Sequence, residues 1–171
     1  MQSTRLKFRK IVDTDIDHVF EGLSHPEVIR FYGVSYDSLE ATRRQMEWFQ
    51  ELERQKTGRW WAVCRKDDSR FVGAGGFNNW DPASQKAEIG FWLLPEFWGL
   101  GFMTEAMPIL CEYGFDVMDL HRIEGFVDSE NRNCKRALAK LEFVHEGCMR
   151  ECESKDGRRV SIDIYSRLRA E

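Results

Sequence analysis

A glycine-containing segment between a predicted buried strand and a predicted helix is the part of this sequence best suited to chemistry. Gly99 and Gly101 remove two side chains where the backbone must approach a ligand closely. The backbone N–H groups from Gly99 to Thr104 then point out of the first helical turn, where no helical carbonyl accepts them. Such N–H groups, at the positive end of a helix, bind anions. The segment therefore predicts a site for a phosphorylated cofactor.

Two other phosphate-binding loops are excluded by the surrounding residues. No G-K-[ST] triplet follows Gly101, so the segment is not a Walker loop. The third glycine of a dinucleotide fingerprint is missing, and no βαβ repeat extends from the segment. Taken alone, a Gly-x-Gly pair is equally compatible with a structural turn.

The last predicted helix carries a basic patch, although the chain has a formal net charge of -4. Arg136 and Lys140 lie four residues apart and share a helix face. The patch either is a solvated surface or attracts phosphate groups. Its members are Arg132, Lys135, Arg136 and Lys140.

The elements that must position these residues are read from hydrophobic periodicity. Strands are predicted at 4–11, 59–66, 70–78, 85–94, 122–128, 143–152 and 159–168. Helices are predicted from a Thr14/Asp17 cap, from an Asp37/Glu40 cap to about residue 55, after Gly101, and over 132–141, with a short one after Pro26. This order predicts a mixed α/β domain spanning 1–171, with helices on both faces of one sheet.

Composition limits the function classes. A net charge of -4 argues against general nucleic-acid binding. Apolar runs are far shorter than the ~20 residues that span a bilayer, and no signal peptide opens the chain, so we expect a cytoplasmic protein without membrane contact. Five cysteines indicate no disulfide framework. Cys148 and Cys152 lie in a predicted strand, roughly 13 Å apart, too far to share one zinc ion.

Two segments together resemble the GNAT N-acetyltransferases, in particular the subgroup named for ribosomal-protein N-terminal acetyltransferases (RimJ/RimL type). The first comprises Glu88–Leu93 (EIGFWL) and Phe97–Ala106 (FWGLGFMTEA). The second runs from His121–Glu124 through Asn131–Cys134 to Phe143. The resemblance covers roughly residues 4 to 168. It implies a mostly antiparallel twisted sheet with splayed middle strands, and acetyl-coenzyme A (acetyl-CoA) as the acyl donor.

The resemblance also implies where the cofactor lies. The pantetheine arm is expected against the strand end that includes Leu93 and Leu94, with a hydrogen bond from Asn131. Arg136 and Lys140 are the expected contacts to the phosphates of coenzyme A. Glu142 departs from the pattern, because it replaces the usual glycine before Phe143. The pyrophosphate is expected on the amides of Trp98, Gly99, Leu100, Gly101, Phe102, Met103 and Thr104.

Acetylation of an amine needs a neutral amine, stabilisation of the developing oxyanion and a proton for the leaving thiolate. Glu88 is the candidate base, directly or through water; alternatively it is a structural carboxylate with a basic partner. The backbone N–H of Leu93 or Leu94 is the candidate oxyanion donor. Cys134 either protonates the leaving sulfur or fills space as a small buried residue. No local triad signal surrounds a nucleophile, so we expect direct attack of the amine on the thioester.

The resemblance implies that the helices within residues 11–57 border the acceptor pocket. This segment carries ten acidic and five basic side chains, which either contribute to that pocket or are solvated side chains of ordinary amphipathic helices. Phe31, Tyr32 and Tyr36 add an aromatic rim. An acidic, aromatic rim would suit a cationic amine such as a peptide N-terminus, a polyamine or another small amine. A non-catalytic acyl-CoA sensor or interaction module on the same fold is the alternative function. The sequence leaves open whether the chain forms a homodimer.

Overall fold

The structure, a computed structural model, describes residues 1–169. Seven strands and five α-helices carry the fold, and short 3-10 turns at Asp13–Asp15 and Pro95–Phe97 precede α1 and the glycine loop. The strands are β1 (Leu6–Lys10), β2 (Arg59–Arg65), β3 (Phe71–Asp81), β4 (Lys86–Leu93), β5 (Arg122–Asp128), β6 (Val144–Lys155) and β7 (Arg158–Leu168). The helices are α1 (Ile16–Ser24), α2 (Pro26–Ile29), α3 (Leu39–Gln55), α4 (Phe102–Asp116) and α5 (Arg132–Lys140).

The strands form one sheet in the order β1-β2-β3-β4-β5-β7-β6. Every neighbouring pair is antiparallel except β4 and β5, which are parallel. The β4–β5 register ends at Glu88 opposite Glu124, although β4 continues to Leu93 and β5 to Asp128. The two central strands therefore diverge beyond Glu88. This confirms the predicted mixed α/β, mostly antiparallel fold and its splayed middle strands.

Two hydrophobic clusters lie on opposite sides of the sheet. Consecutive residues of β2 point to different clusters: Trp60 packs with residues of α1 and α3, whereas Trp61 packs with residues of α4 and α5. This alternation is expected of a strand buried on both faces. Helices thus cover both faces of the sheet, as the sequence predicts.

Local details differ from the sequence analysis mainly at helix starts. The side chain of Thr14 does not cap α1; Asp15 occupies the N-cap position and instead accepts two hydrogen bonds of 2.7 Å from Arg9. The cap of α3 is Ser38, one residue after the predicted Asp37, and its Oγ accepts from the Ala41 N–H. Glu142 adopts the left-handed conformation usually taken by glycine, with φ 64°. Within residues 1–169, no helix is both long and apolar enough to cross a membrane.

Candidate active site

A cleft of about 470 Å³ opens where β4 and β5 diverge. Residues Ile89–Phe91 form one side and Gly125–Asp128 the other. The segment between α2 and α3 contributes an aromatic wall, while α4 and α5 close the opposite end. Of the residues predicted from sequence, the cleft brings together Glu88, Met103, Asn131, Cys134, Phe31, Tyr32 and Tyr36.

Glu88 is held in the cleft by an irregularity in β3. The β3–β4 register shifts between Asn78 and Asp81, and Asn79 adopts a positive φ of 52°. Such a bulge re-aims a side chain that would otherwise point to the other face. The Asn79 amide donates a hydrogen bond of 2.9 Å to Glu88. The half-buried carboxylate is therefore held by an amide, without a basic partner among the described residues.

Burial raises the pKa of Glu88 above its ordinary value. Hydrogen bonds from Asn79 and Asn78 oppose this rise, while the negative charges of Glu124 and Glu153 add to it. A carboxylate with a raised pKa is a stronger base than one in water. Because Glu88 has no basic partner among the described residues, the geometry favours a base over a structural carboxylate.

The glycine loop lies beyond the cleft, before α4. Gly99 and Gly101 have φ values of 73° and 79°, which place both in the left-handed region that side chains disfavour. Gly101 is the N-cap of α4 and supplies no capping side chain. Within residues 1–169, no protein acceptor takes the N–H groups from Gly99 to Thr104. These amides remain available to an external anion, and Trp98 and Leu100 in the same loop are exposed.

Arg5, which immediately precedes the edge strand β1, fixes this loop through a contact that no sequence pattern predicts. Its guanidinium donates to the Leu100 carbonyl at 3.0 Å and to Glu105 at 2.6 Å, and it lies over the Phe102 ring. Ser3 also donates to Glu105. Burial opposes ionisation of Glu105, but these hydrogen bonds outweigh it and lower the pKa of the carboxyl group. Glu105 therefore supports the loop.

The two candidate oxyanion donors differ in their hydrogen bonds. The Leu94 N–H donates to the Val72 carbonyl at 3.0 Å, so it is occupied. The next pair along the two strands is Leu93 opposite Gly73. In an antiparallel ladder the residues of alternate pairs do not hydrogen-bond to each other, so the N–H and C=O groups of Leu93 point away from β3. Its carbonyl accepts from the Trp98 indole at 2.9 Å. The Leu93 N–H thus faces the side from which β5 has diverged, and of the two amides it alone is free for a ligand within residues 1–169.

Asn131 and Cys134 border the cleft at the start of α5. The Asn131 side chain caps α5 by accepting from the Cys134 N–H at 3.1 Å, which leaves its amide NH₂ for a ligand. Cys134 is half-buried rather than a fully enclosed filler, and burial raises the pKa of its thiol to about 11. The thiol is therefore protonated at neutral pH. Burial, with the charge of Glu88, likewise raises the pKa of the Tyr32 phenol.

The predicted basic patch divides into two groups. Lys135 forms an ion pair of 2.5 Å with Asp163 and donates to the Ser129 carbonyl. Arg136 and Lys140 are exposed, and the Arg136 guanidinium contacts only the Asn133 side chain among the described residues. Arg136 and Lys140 are thus accessible to a phosphate, whereas Lys135 is not.

The aromatic wall is fixed by a side chain from the distant β6–β7 hairpin. The Lys155 ammonium donates to the carbonyls of Ile29, Arg30 and Tyr32, the last two at 2.8 Å. An ammonium has three donors, so all are used. Lys155 thereby holds the end of α2 and the aromatic segment over the cleft, through a contact that no local sequence pattern predicts.

The predicted acidic rim is absent from the cleft. None of the ten acidic residues of 11–57 lines it, and several are ion-paired elsewhere, such as Asp15 with Arg9 and Glu53 with Lys10. The charged side chain that this segment does contribute is Arg44. The rim is therefore aromatic, as predicted, but its charge has the opposite sign.

Comparisons with known proteins agree with a site built for a coenzyme A thioester. The family model described as "Acetyltransferase (GNAT) domain" matches residues 5–144. The chain is 32% identical over 167 residues to an uncharacterized N-acetyltransferase, YoaA, from Bacillus subtilis, covering 97% of this chain and 94% of that one. The fold and the family match are those of an acyltransferase. The chain belongs to the GNAT acetyltransferases, and acetyl-CoA is its acyl donor.

Two solved structures show the same fold with different ligands. The ribosomal L7/L12 alpha-N-protein acetyltransferase RimL in complex with coenzyme A superposes with a TM-score of 0.87 at 22% identity, covering 97% of this chain and 95% of that one. A spermidine N-acetyltransferase from Vibrio cholerae, in complex with coenzyme A and spermine, gives 0.87 at 19% identity and 96% coverage of both chains. At these identities the likeness establishes the fold and leaves the acceptor open.

Proposed function

We propose that this protein transfers the acetyl group of acetyl-CoA to a primary amine by direct attack of the amine on the thioester. The observation that carries the proposal is Glu88, a half-buried carboxylate with a raised pKa in the cleft between the diverging strands. The amine belongs to a peptide N-terminus or a small molecule. A polyamine is the second candidate, because a spermidine N-acetyltransferase is among the structural neighbours.

The residues present fit coenzyme A at three points. The unpartnered N–H groups from Gly99 to Thr104 would bind the pyrophosphate, where the positive end of α4 favours negative charge. The free amide NH₂ of Asn131 would bind the pantetheine. Arg136 and Lys140 would lie near the remaining phosphate groups. When bound, acetyl-CoA supplies an activated acetyl group.

The protein's own residues then provide the proton transfers and the charge stabilisation. Glu88 takes a proton from the acceptor ammonium, directly or through water, so that the nitrogen lone pair becomes available. The Leu93 N–H donates to the acyl oxygen as negative charge develops there. Cys134 carries a proton at neutral pH and would supply it to the leaving sulfur. The second proton, which the attacking nitrogen loses as the amide forms, would restore the Cys134 thiol. This scheme needs no nucleophile from the enzyme.

A thiol-release assay with acetyl-CoA tests the proposal directly. The acceptor panel contains short peptides with free N-termini, polyamines and small amines, together with a reaction lacking acceptor. We expect release that depends on the acceptor and is matched by acetylated amine in a mass spectrum. Tight coenzyme A binding by calorimetry without turnover on any amine would instead support a sensor on the same fold.

A further inference from the structure

Arg44 is the cation that the aromatic side of the cleft presents to a ligand. It lies on α3 and lines the cleft with Tyr36 and Trp48. Within residues 1–169, its guanidinium has neither an ion pair nor a hydrogen bond. Several other arginines are instead committed to carboxylates, such as Arg5 to Glu105 and Arg9 to Asp15. Arg44 is exposed and lines the cleft, so its partnerless guanidinium can receive a group from outside the protein.

Arg44 and Glu88 line the same cleft, together with two tyrosines, Tyr32 and Tyr36. The Tyr36 hydroxyl donates to Gln45, the residue after Arg44 on α3, at 2.9 Å. The positive charge of Arg44 acts on the Tyr36 phenol, and the negative charge of Glu88 acts on the Tyr32 phenol. The cleft therefore presents one cationic and one anionic side chain, both close to the aromatic wall.

We propose that the acceptor is a primary amine that also carries a carboxylate, with the amine directed to Glu88 and the carboxylate to Arg44. The inference rests on the proposed function and names its substrate class. Arg44 is accordingly a specificity-determining residue, because a guanidinium matches a carboxylate in both charge and geometry. A polyamine would place a second cation near Arg44, which is unfavourable.

The experiment compares two variants with a matched series of peptides. Arg44→Gln removes the charge that lines the cleft, whereas Arg43→Gln removes the charge of its neighbour, which is equally exposed but does not line the cleft. The peptides are C-terminally amidated tripeptides with glutamate at the first, second or third position, each paired with the glutamine analogue. Spermidine completes the panel. The wild-type protein and both variants are assayed for KM and kcat.

We expect the wild-type protein to prefer the glutamate peptide over its glutamine analogue at one position of the series, with a KM about fivefold lower, as for a partly exposed ion pair. Arg44→Gln raises the KM of the glutamate peptide about fivefold and leaves kcat and the glutamine peptide unchanged, whereas the KM of spermidine falls. Arg43→Gln retains the preference. High salt reduces it, because exposed charge pairs are screened.

Three results would overturn the inference: no glutamate preference at any position, an equal loss for both peptides in Arg44→Gln, or the same effect from Arg43→Gln. Each of them leaves acetyl transfer intact. If no amine is acetylated, the proposed function fails instead. In that case the same peptides are titrated calorimetrically into protein saturated with coenzyme A. Equal affinity for a glutamate peptide and its glutamine analogue would exclude Arg44 as a carboxylate-binding residue.

Discussion

The proposed cofactor side of this site is formed by backbone groups, whereas the proposed acceptor side is formed by side chains. The cofactor side consists of backbone N–H groups from one continuous segment, Gly99 to Thr104, whose conformation depends on two left-handed glycines. The acceptor side consists of side chains from separate elements, such as Arg44 on α3, Glu88 on β4 and Lys155 at the end of β6. The backbone N–H groups of the cofactor side favour an anion whatever side chains surround them. The ligand preference of the acceptor side, in contrast, can change with single side-chain substitutions.

Both sides are nevertheless tethered in the same way. A cation distant in sequence donates to backbone carbonyls of each segment: Arg5, just before β1, to Leu100, and Lys155, at the end of β6, to Ile29, Arg30 and Tyr32. Arg5 is also neutralised by Glu105, whereas Lys155 is stabilised by carbonyl groups. Variants on the cofactor side should therefore change the affinity for coenzyme A. Variants on the acceptor side should instead change kcat, the acceptor KM or the pH profile.

Glu88→Gln should have the largest effect and should act on turnover alone. The amide cannot accept the proton of the acceptor, so kcat should fall by about a hundredfold or more. The dissociation constant of coenzyme A, measured by calorimetry, should stay unchanged. Glu124→Gln is the matched control, because Glu124 lies directly opposite on β5 but pairs with Arg122 and Lys86. Equal losses in both variants would remove Glu88 from the role of base.

Gly101→Asp should act on the cofactor side alone. The substitution forces a side chain into a φ of 79° and places a carboxylate beside the amides proposed to bind the pyrophosphate. We expect coenzyme A affinity to fall about tenfold or more by calorimetry, as for loss of a charge-assisted contact. Gly157→Asp, at a φ of 75° in the β6–β7 turn, introduces similar backbone strain away from the loop. A similar loss of affinity there would show that strain, and not anion binding, is responsible.

The same contrast explains how much the sequence could predict. The glycine loop was recognisable because strand, turn, glycines and helix follow one another within about twenty residues. The bounds of β5 agree with the predicted 122–128, because its apolar pattern is bounded by polar turns. Local backbone geometry is encoded locally, so it can be read from a single chain.

The acceptor side depends on contacts that no local pattern encodes. Lys155 meets Tyr32 across 123 positions of sequence. Asn79 reaches Glu88 because β3 contains a bulge, which an alternating pattern does not reveal. The charge count of 11–57 gave the wrong sign for the rim, because net charge does not say which side chains face inward. Only the packing of α3 against the sheet places Arg44 in the cleft.

Lys155→Met should affect acceptor binding more than cofactor binding. The substitution removes three hydrogen bonds that hold the aromatic segment, so the cleft wall loses its preferred position. We expect the acceptor KM to rise about fivefold, roughly the value of one net hydrogen bond, with unchanged coenzyme A affinity. Lys10→Met removes an ion pair with Glu53 outside the cleft and serves as the control. If coenzyme A affinity falls in parallel, the tether acts on the whole fold.

Asn79→Gly should give the smallest effect, a displacement of the pH profile. Glycine keeps the left-handed backbone at φ 52° but removes the amide that stabilises the Glu88 carboxylate. Because this hydrogen bond lowers the pKa of Glu88, its loss should raise that pKa and move the acidic limb of kcat/KM to higher pH. Activity above this limb should be retained, since the carboxylate is then ionised in both proteins. Glu88→Gln, which lacks the ionising group, should lose the limb altogether. A limb that stays in place in Asn79→Gly while disappearing in Glu88→Gln would mean that Asn78 alone sets the basicity of Glu88.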